Sequence, residues 1–481
     1  MSELSSVKNN SFFSFLSISF RYIPNIAVFW ILARFWGPDI FGKFSYAHTL
    51  ANTFLLIADF GFDLLLTTEI ARDRKNAVTI FREYFWIKMT LAAAALIGMF
   101  LFVYLKSGNI ESLLLGFIFG FYMVFNTISN FYVAMFKGFE KLSYDARVSI
   151  ATNLFLLISA GTVFVLLHGN IYLIALSYVF SRIVGFLFSL RLTRNVMPDI
   201  SYRILFTDFR GAMRKALLYG LLILSISLLY QLDTILLGLF KSDREVGVYN
   251  AVKNLLLVPY IIPGVAYSAL LPTLARLFKE SRESWIAMNK IFFKIIYWIT
   301  LPIAVFFFAY PKQIIYFVYS SKNYSSAIPL LGIFSVVLFI RCISDYMGVM
   351  LITSNKQKIQ VYTAFSGIFL SIILNIFIVP KYGIYGAAFV LLIINIFVLF
   401  VYMYNNFEVF YGHIINNRYL LLLLAGVIIA LLVHINMQNI FFLGILVVFV
   451  FLVGVSFMLF FSSEERSRIL EWKVNFNFIR K

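Results

Sequence analysis

The residues of this sequence that could do chemistry are ionisable side chains inside long apolar segments. A charge within a bilayer costs about 2.5–3.5 kcal/mol on insertion scales, so it is retained where it is paired, faces water or binds a ligand. Asp63 lies one helical turn from Asp59, and Asp345 lies one turn from Arg341. The charged residues nearest the middle of their segments are Arg21, Asp59, Arg182 and Arg341.

A second set of buried charges lies in the stretch 231–276, which is typical of two apolar helices joined by a short charged turn. Asp233 precedes the turn and Lys253 follows it at a similar separation. At 1.5 Å of rise per residue, both side chains are expected roughly 10 Å below the same membrane face. This hairpin indicates a transporter more than a simple membrane anchor.

Two kinds of chemistry suit these residues. Guanidinium groups stay charged and bind phosphate oxygens bidentately, so an excess of buried arginine favours a phosphate-bearing ligand. Buried carboxylates can exchange a proton or Na⁺, which favours a coupling site for a cation. The alternative is that the charges pair with one another, Arg341 with Asp345 and Asp233 with Lys253. Lys88 and Glu69 are expected to extend toward the inner interface.

Composition indicates an all-α polytopic membrane protein. Hydrophobic residues make up 62% of the 481 residues, charged residues only 13%, and apolar runs of membrane-crossing length recur along the chain. The net charge of +18 is explained by basic cytoplasmic loops, so no nucleic-acid partner is expected. Lys and Arg concentrate in alternate connections, which predicts that both termini are cytoplasmic and that the span number is even.

About fourteen spans are predicted. They are 11–33, 44–70, 84–105, 112–136, 146–167, 171–190, 216–240, 247–271, 292–310, 327–352, 360–379, 384–404, 419–433 and 440–461. Proline removes a helix hydrogen bond, so hinges are expected within the spans at Pro24, Pro259, Pro263-Gly264 and Pro302.

No enzymatic or metal chemistry is predicted. The segment Gly37 to Lys43 matches a phosphate-binding loop pattern, but Phe44 stands where the pattern needs Ser or Thr, and no strand precedes it. The four histidines are scattered without a second ligand at helical spacing, so no metal site is expected. The outer loops are too short to hold a glycosyltransferase or polymerase domain. Catalytic residues and cofactors are therefore not predicted.

An internal repeat predicts two six-helix lobes. Gly42 opens the second span, which closes at Ala71-Arg72, and Gly247 opens the eighth, which closes at Ala275-Arg276. Because six is even, the copies share an orientation and are related by a pseudo-two-fold axis along the membrane normal. The predicted domains are an N-lobe at 1–195, a basic cytoplasmic connector at 196–215, a C-lobe at 216–404, two further spans at 405–461 and a basic cytoplasmic tail at 462–481.

Several motifs resemble the polysaccharide-transporter branch of the MOP (multidrug/oligosaccharidyl-lipid/polysaccharide) superfamily, which includes the O-antigen flippases. The pattern D-x-I-x-L-G-x-F occurs at 233–240 and V-G-x-Y-x-A at 246–251. The later stretch 375–388, NIFIVPKYGIYGAA, is similar to a passage of the same branch. Residues 42–44 and 136–141 fit it as well. The resemblance implies a fold like that of the MATE transporters.

The resemblance also implies a function. Proteins of this kind carry undecaprenyl-pyrophosphate-linked oligosaccharide units, the precursors of O-antigen or capsule, from the inner to the outer leaflet of the bacterial inner membrane by alternating access. H⁺ or Na⁺ would be the coupling ion, and the expected partners are membrane lipids, a polysaccharide polymerase and a chain-length regulator. The implied substrate contacts are Arg21, Arg182, Lys253 and Arg341. The implied ion-coupling residues are Asp59, Asp63, Asp233 and Asp345.

Two alternatives stay open at the level of sequence. A MATE-type cation or drug exporter has the same fold, but its site would be lined by acidic and aromatic residues with few buried cations. A non-transporting scaffold for an envelope-polysaccharide synthesis complex would tolerate neutralisation of the buried charges.

Overall fold

The structure is a computed structural model that describes residues 2–106, 110–167, 169–198, 200, 202, 209–319 and 322–409. Within these ranges the regular elements are helices, and no strand occurs. The helices of the first part are α1 Ser2–Asp59, α2 Phe62–Arg72, α3 Ala77–Lys106, α4 Ile110–Gly138, α5 Leu142–Leu166 and α6 Ile171–Thr193. Those of the second part are α7 Phe209–Leu229, α8 Leu232–Phe240, α9 Asp243–Glu280, α10 Arg282–Ala309, α11 Pro311–Tyr319, α12 Ala327–Thr353, α13 Gln357–Asn405 and the short α14 Phe407–Val409.

Two of these helices contain two predicted spans each, separated by a sharp backbone change. In α1 the change is at Gly37, where φ is 74°, and in α13 it is at Gly383, where φ is 56°. Residues with a side chain rarely adopt such positive φ values, so glycine is suited to both positions. At each glycine one helix ends and another begins. The first predicted span and the first part of the second therefore lie in α1, and the eleventh and twelfth lie in α13.

The length and composition of the helices fit a membrane. Seven described helices are long and apolar enough to cross one, and the number rises to eight if the bent pair within Phe209–Leu229 is counted as one span. Their outer surfaces carry large apolar side chains exposed in the isolated chain, such as Ile97, Leu101 and Val165. Such a surface is expected where helices face lipid.

The described chain divides into two compact units. Of the described residues, those within 1–254 and 368–387 form the first unit, and those within 255–367 and 388–409 form the second. In the first unit α1 packs on α4 and α5, and α6 packs on α4 and α5. Its core includes a cluster of buried apolar residues at one end of α2, α3 and α4, centred on Phe62, Phe81 and Phe131.

In the second unit α10 packs along α12. Tyr346 of α12 is fully buried and donates a hydrogen bond to Asn289 Oδ1 of α10 at 3.0 Å. Trp285 of α10 is 2% exposed and donates its indole N–H to Thr353 Oγ1 at 3.2 Å. These hydrogen bonds satisfy the polar groups of the aromatic side chains that fill the interface between the two helices.

The two glycines that define the sequence repeat lie against each other within the first unit. A Cβ atom on Gly247 would lie 2.9 Å from the backbone nitrogen of Gly42 and 2.8 Å from the carbonyl carbon of Pro38. A Cβ atom on Gly42 would lie 3.0 Å from the nitrogen of Gly247. The absence of side chains at both positions lets the starts of the second and eighth spans meet backbone to backbone.

Some predictions lie outside the described residues. They are the predicted spans 419–433 and 440–461, the basic tail 462–481 and part of the connector 196–215. The predicted lobe boundaries at 195, 216 and 404 stay predictions.

Candidate functional site in the buried charges

Arg21 is held by a carboxylate that the sequence analysis did not single out. Its Nη2 lies 2.7 Å from Asp145 Oδ1, and its Nε donates to Ser149 Oγ at 3.1 Å. Asp145 is 3% exposed and also lies 3.6 Å from the ammonium nitrogen of Lys137. Asp145 lies just outside the predicted fifth span, which begins at 146. In the structure it lies in the first turn of α5.

Asp59 and Asp63 lie on either side of a break in the second predicted span. Helix α1 ends at Asp59, Phe60 and Gly61 adopt φ values of 41° and 82°, and α2 begins at Phe62. The two carboxylates are brought together across the break, with Asp59 Oδ1 accepting from the backbone N–H of Asp63 at 3.1 Å. A carboxylate in the first turn of α2 is also stabilised by the helix dipole.

Lys88 of α3 completes this group, contrary to expectation. The prediction that Lys88 extends to the interface is wrong, because its side chain is fully buried. Its ammonium nitrogen lies 2.8 Å from Asp59 Oδ1 and also pairs with Asp63 Oδ1. Asp59, Asp63 and Lys88 are called the N-terminal triad below.

The seventh predicted span is broken in a similar way, and Asp233 lies in the first turn after the break. Helix α7 ends at Leu229 and α8 begins at Leu232, so backbone carbonyls are released between them. The ammonium of Lys253 donates to one of these, Tyr230 O, at 2.7 Å, and to Asp233 Oδ1 at 2.7 Å. Tyr249 donates its hydroxyl to Asp233 Oδ2 at 2.6 Å. The structure therefore contains the Asp233–Lys253 pairing considered from sequence.

In the second unit Arg341 and Asp345 share a tyrosine. The guanidinium carbon of Arg341 lies 4.4 Å from the ring centroid of Tyr260, and Nε of Arg341 lies 3.7 Å from Asp345 Oδ2. Tyr260 donates its hydroxyl to the same carboxylate. The arginine and aspartate side chains are 24% and 21% exposed, so both reach the surface of the unit.

Arg182 differs from the other predicted cations, because no ion pair involves it in the described part of the chain. Its guanidinium carbon lies 5.3 Å from the ring centroid of Tyr122, and its buried Nε has no hydrogen-bond partner. The hydroxyl of Tyr178, one turn before it on α6, is buried and has no partner either. His48 packs against both tyrosines, with ring centroids 5.4–5.5 Å apart.

The aromatic surroundings of Arg182 give it a defined position without neutralising it. Cation–π stacking on Tyr122 holds the guanidinium plane, which leaves its N–H donors available to a planar or tetrahedral anion. Of the four predicted substrate contacts, Arg182 is therefore the one whose geometry best fits anion binding. All four stay predicted substrate contacts.

Together these features describe a class of protein. Broken membrane helices with charged residues at the breaks are typical of secondary transporters, in which irregular backbone at membrane depth is tolerated where it lines a functional site. Comparison with solved structures supports a transporter fold. The chain is similar to the lipid II flippase MurJ in an inward closed conformation, with a TM-score of 0.76, 15% identity, and coverage of 93% of this chain and 98% of that chain.

Two transporters of the MOP superfamily have a similar fold. An inward-facing multidrug resistance MATE transporter matches with a TM-score of 0.66 and 15% identity over 81% of this chain and 94% of its own. A MOP superfamily transporter from Pyrococcus furiosus, whose binding pocket is described as reversed in polarity, matches with a TM-score of 0.60 and 14% identity. The match covers 84% of this chain and 95% of the Pyrococcus furiosus protein. The expected MATE-like helical fold is confirmed.

The sequence match to a family model is more specific than the fold. Residues 7–278, more than half of the chain, match the model of the polysaccharide biosynthesis protein family. The chain belongs to this family, and the resemblance found from its motifs is confirmed. No protein with a curated description matches the sequence significantly.

Proposed function

We propose that this protein is a flippase that moves undecaprenyl-pyrophosphate-linked oligosaccharide units from the inner to the outer leaflet of the bacterial inner membrane. The observation that carries the proposal is Arg182, a partly buried guanidinium stacked on Tyr122 without a carboxylate partner in the described chain. A pyrophosphate offers the oxygen atoms that such a group binds bidentately. Membership in a polysaccharide biosynthesis family and a fold similar to that of a lipid II flippase both support this substrate class.

In this proposal the other predicted cations act through their ion pairs. Arg21 forms an ion pair with Asp145, and Lys253 forms one with Asp233. Either cation can therefore bind a substrate anion only when its ion pair is broken. A proton or Na⁺ that binds the carboxylate would release the cation. Asp233 would act in this way. Asp59, Asp63 and Asp345, which are also paired with cations, are proposed with it as coupling residues in an alternating-access cycle with cytoplasmic termini.

The test is transport by variants of Arg182. Arg182→Ala should reduce surface polysaccharide or flipping by reconstituted protein at least tenfold, because one charge-assisted hydrogen bond to an anion contributes about 1.5–3 kcal/mol. Arg182→Lys should retain part of the activity. Arg191→Ala, an exposed residue further along the same helix, is the matched control. Normal transport by Arg182→Ala at normal protein level would contradict the proposal.

A cation exporter is the second candidate. It is favoured by the observed pairing, because Arg21, Lys253 and Arg341 each lie beside a carboxylate and contribute less free positive charge than the sequence indicated. An organic cation transported by the wild type and unaffected by Arg182→Ala would support this function. A non-transporting scaffold would instead keep polysaccharide synthesis normal when Arg182 and Asp233 are both neutralised.

A further inference from the structure

The second unit contains a cavity that none of the predicted site residues lines. It has a volume of about 480 Å³ and lies where α10 and α13 begin and α13 ends. Its walls include Arg282, Trp285, Lys356, Tyr404, Asn405 and Phe407, which together are called the basic aromatic cavity. Its volume is within the range of small-molecule sites in proteins.

The charge of the cavity is positive. Arg282 opens α10 and Lys356 precedes α13, and no Asp or Glu is among the described residues that line the walls. The ammonium of Lys356 donates to the carbonyl of Asn405 at 3.0 Å, which fixes its position at the rim. Ser354 and Asn406 add further polar groups. An anion is the ligand that this lining favours.

The rim of the cavity is aromatic as well as basic. Tyr404 and Phe407 are 71% and 53% exposed, whereas Trp285 is buried and held by its hydrogen bond to Thr353. A free inorganic anion would gain nothing from exposed aromatic rings. A ligand with a phosphate group attached to an apolar portion would contact both parts of the cavity.

Arg282 and Lys356 belong to the Lys- and Arg-rich connections that the positive-inside rule assigns to the cytoplasmic face. Basic pockets between membrane helices on that face bind the headgroups of anionic lipids. We propose that the basic aromatic cavity binds the phosphate headgroup of an anionic phospholipid of the inner leaflet, with Arg282 and Lys356 contacting the phosphate and Tyr404 and Phe407 contacting the glycerol and proximal acyl carbons. None of the proposed transport residues lines the cavity.

Native mass spectrometry of the purified full-length chain tests this site with three probes, which are phosphatidylglycerol, phosphatidylcholine and inorganic pyrophosphate. Phosphatidylglycerol should bind and phosphatidylcholine should bind much more weakly. Arg282→Gln combined with Lys356→Gln should weaken phosphatidylglycerol binding about 25-fold, which corresponds to about 1 kcal/mol for each basic residue. Arg282→Gln alone should weaken it about fivefold.

The control is Arg276→Gln combined with Lys358→Gln, which removes the same charge from nearby positions that do not line the cavity. This variant should bind phosphatidylglycerol like the wild type. An equal loss in both double variants would overturn the proposal, because the binding would then reflect general surface charge. Equal affinity for pyrophosphate and phosphatidylglycerol would assign the site to the phosphate group alone and would overturn the lipid assignment. If none of the three probes binds, the proposal is overturned as well.

Discussion

Lys88 shows at the scale of one residue why depth in the membrane was hard to predict. Helix α3 begins at Ala77, seven residues before the predicted start at Tyr84. Lys88 therefore lies eleven residues, or roughly 16 Å, from the start of the helix, and its ammonium group contacts Asp59 and Asp63. Residue type identified Asp59 and Asp63 as buried, but their cation could not be found without the position of α3. Asp145, the partner of Arg21, was missed for the same reason at a helix boundary.

Replacement of Lys88 should strongly destabilise the protein. Lys88→Met leaves two carboxylates of the N-terminal triad without their cation, and removal of one partner of a buried pair costs about 3–5 kcal/mol. The melting temperature of the purified protein measures this loss. Lys75→Met, at an exposed loop position, should leave it unchanged.

A triple variant separates the structural role of the triad from the proposed coupling role. Lys88→Met combined with Asp59→Asn and Asp63→Asn removes all three charges and should recover most of the melting temperature. If the carboxylates couple transport to an ion, this stable variant should still fail to flip substrate. Full activity in the triple variant would remove Asp59 and Asp63 from the coupling residues.

At the scale of elements, the breaks in the helices fall at glycine and at polar residues more than at the predicted proline hinges. Helix α9 continues through Pro259 and Pro263, and α10 continues through Pro302. The second span instead breaks at Gly61, and the seventh at Tyr230 and Gln231. Local sequence gives little warning of such breaks, because their stability depends on neighbours such as Lys253, which binds the released carbonyl of Tyr230.

Gly61 should be intolerant of any side chain. Its φ is 82°, and a Cβ atom would lie 2.7 Å from the carbonyl carbon of Tyr219 and 2.8 Å from Cα of Gly220. Gly61→Ala therefore adds backbone strain of about 1–2 kcal/mol and a steric conflict with α7. We expect a lower melting temperature and reduced flipping. Gly161→Ala is the control, because nothing lies within 4 Å of its Cβ position. Equal behaviour of the two variants would show that the contact between α2 and α7 is dispensable.

For the whole molecule, the helical fold was predictable because each span is identified by a continuous apolar run of sufficient length. Gly42 and Gly247, on which the predicted repeat is based, both lie against backbone and have no room for a side chain. The sequence predicted which residue types the candidate site contains, but it did not predict which side chains contact each other. Arg182 is an example. Its stacking on Tyr122 joins α6 to α4, and residue spacing along either helix carries no information about that contact.

The distribution of Lys and Arg makes a prediction about the orientation of the whole chain. Cys342 is the only cysteine and is fully buried, so single cysteines can be introduced without first removing it. Lys75→Cys lies in the connection between α2 and α3, and Glu111→Cys lies in the first turn of α4. Both positions are exposed, so each should react with a thiol reagent that has access to its side of the membrane. The positive-inside rule predicts that an impermeant reagent added to intact cells labels Glu111→Cys and leaves Lys75→Cys unlabelled until the membrane is opened. The reverse pattern would place the basic connections outside and would contradict the prediction of cytoplasmic termini.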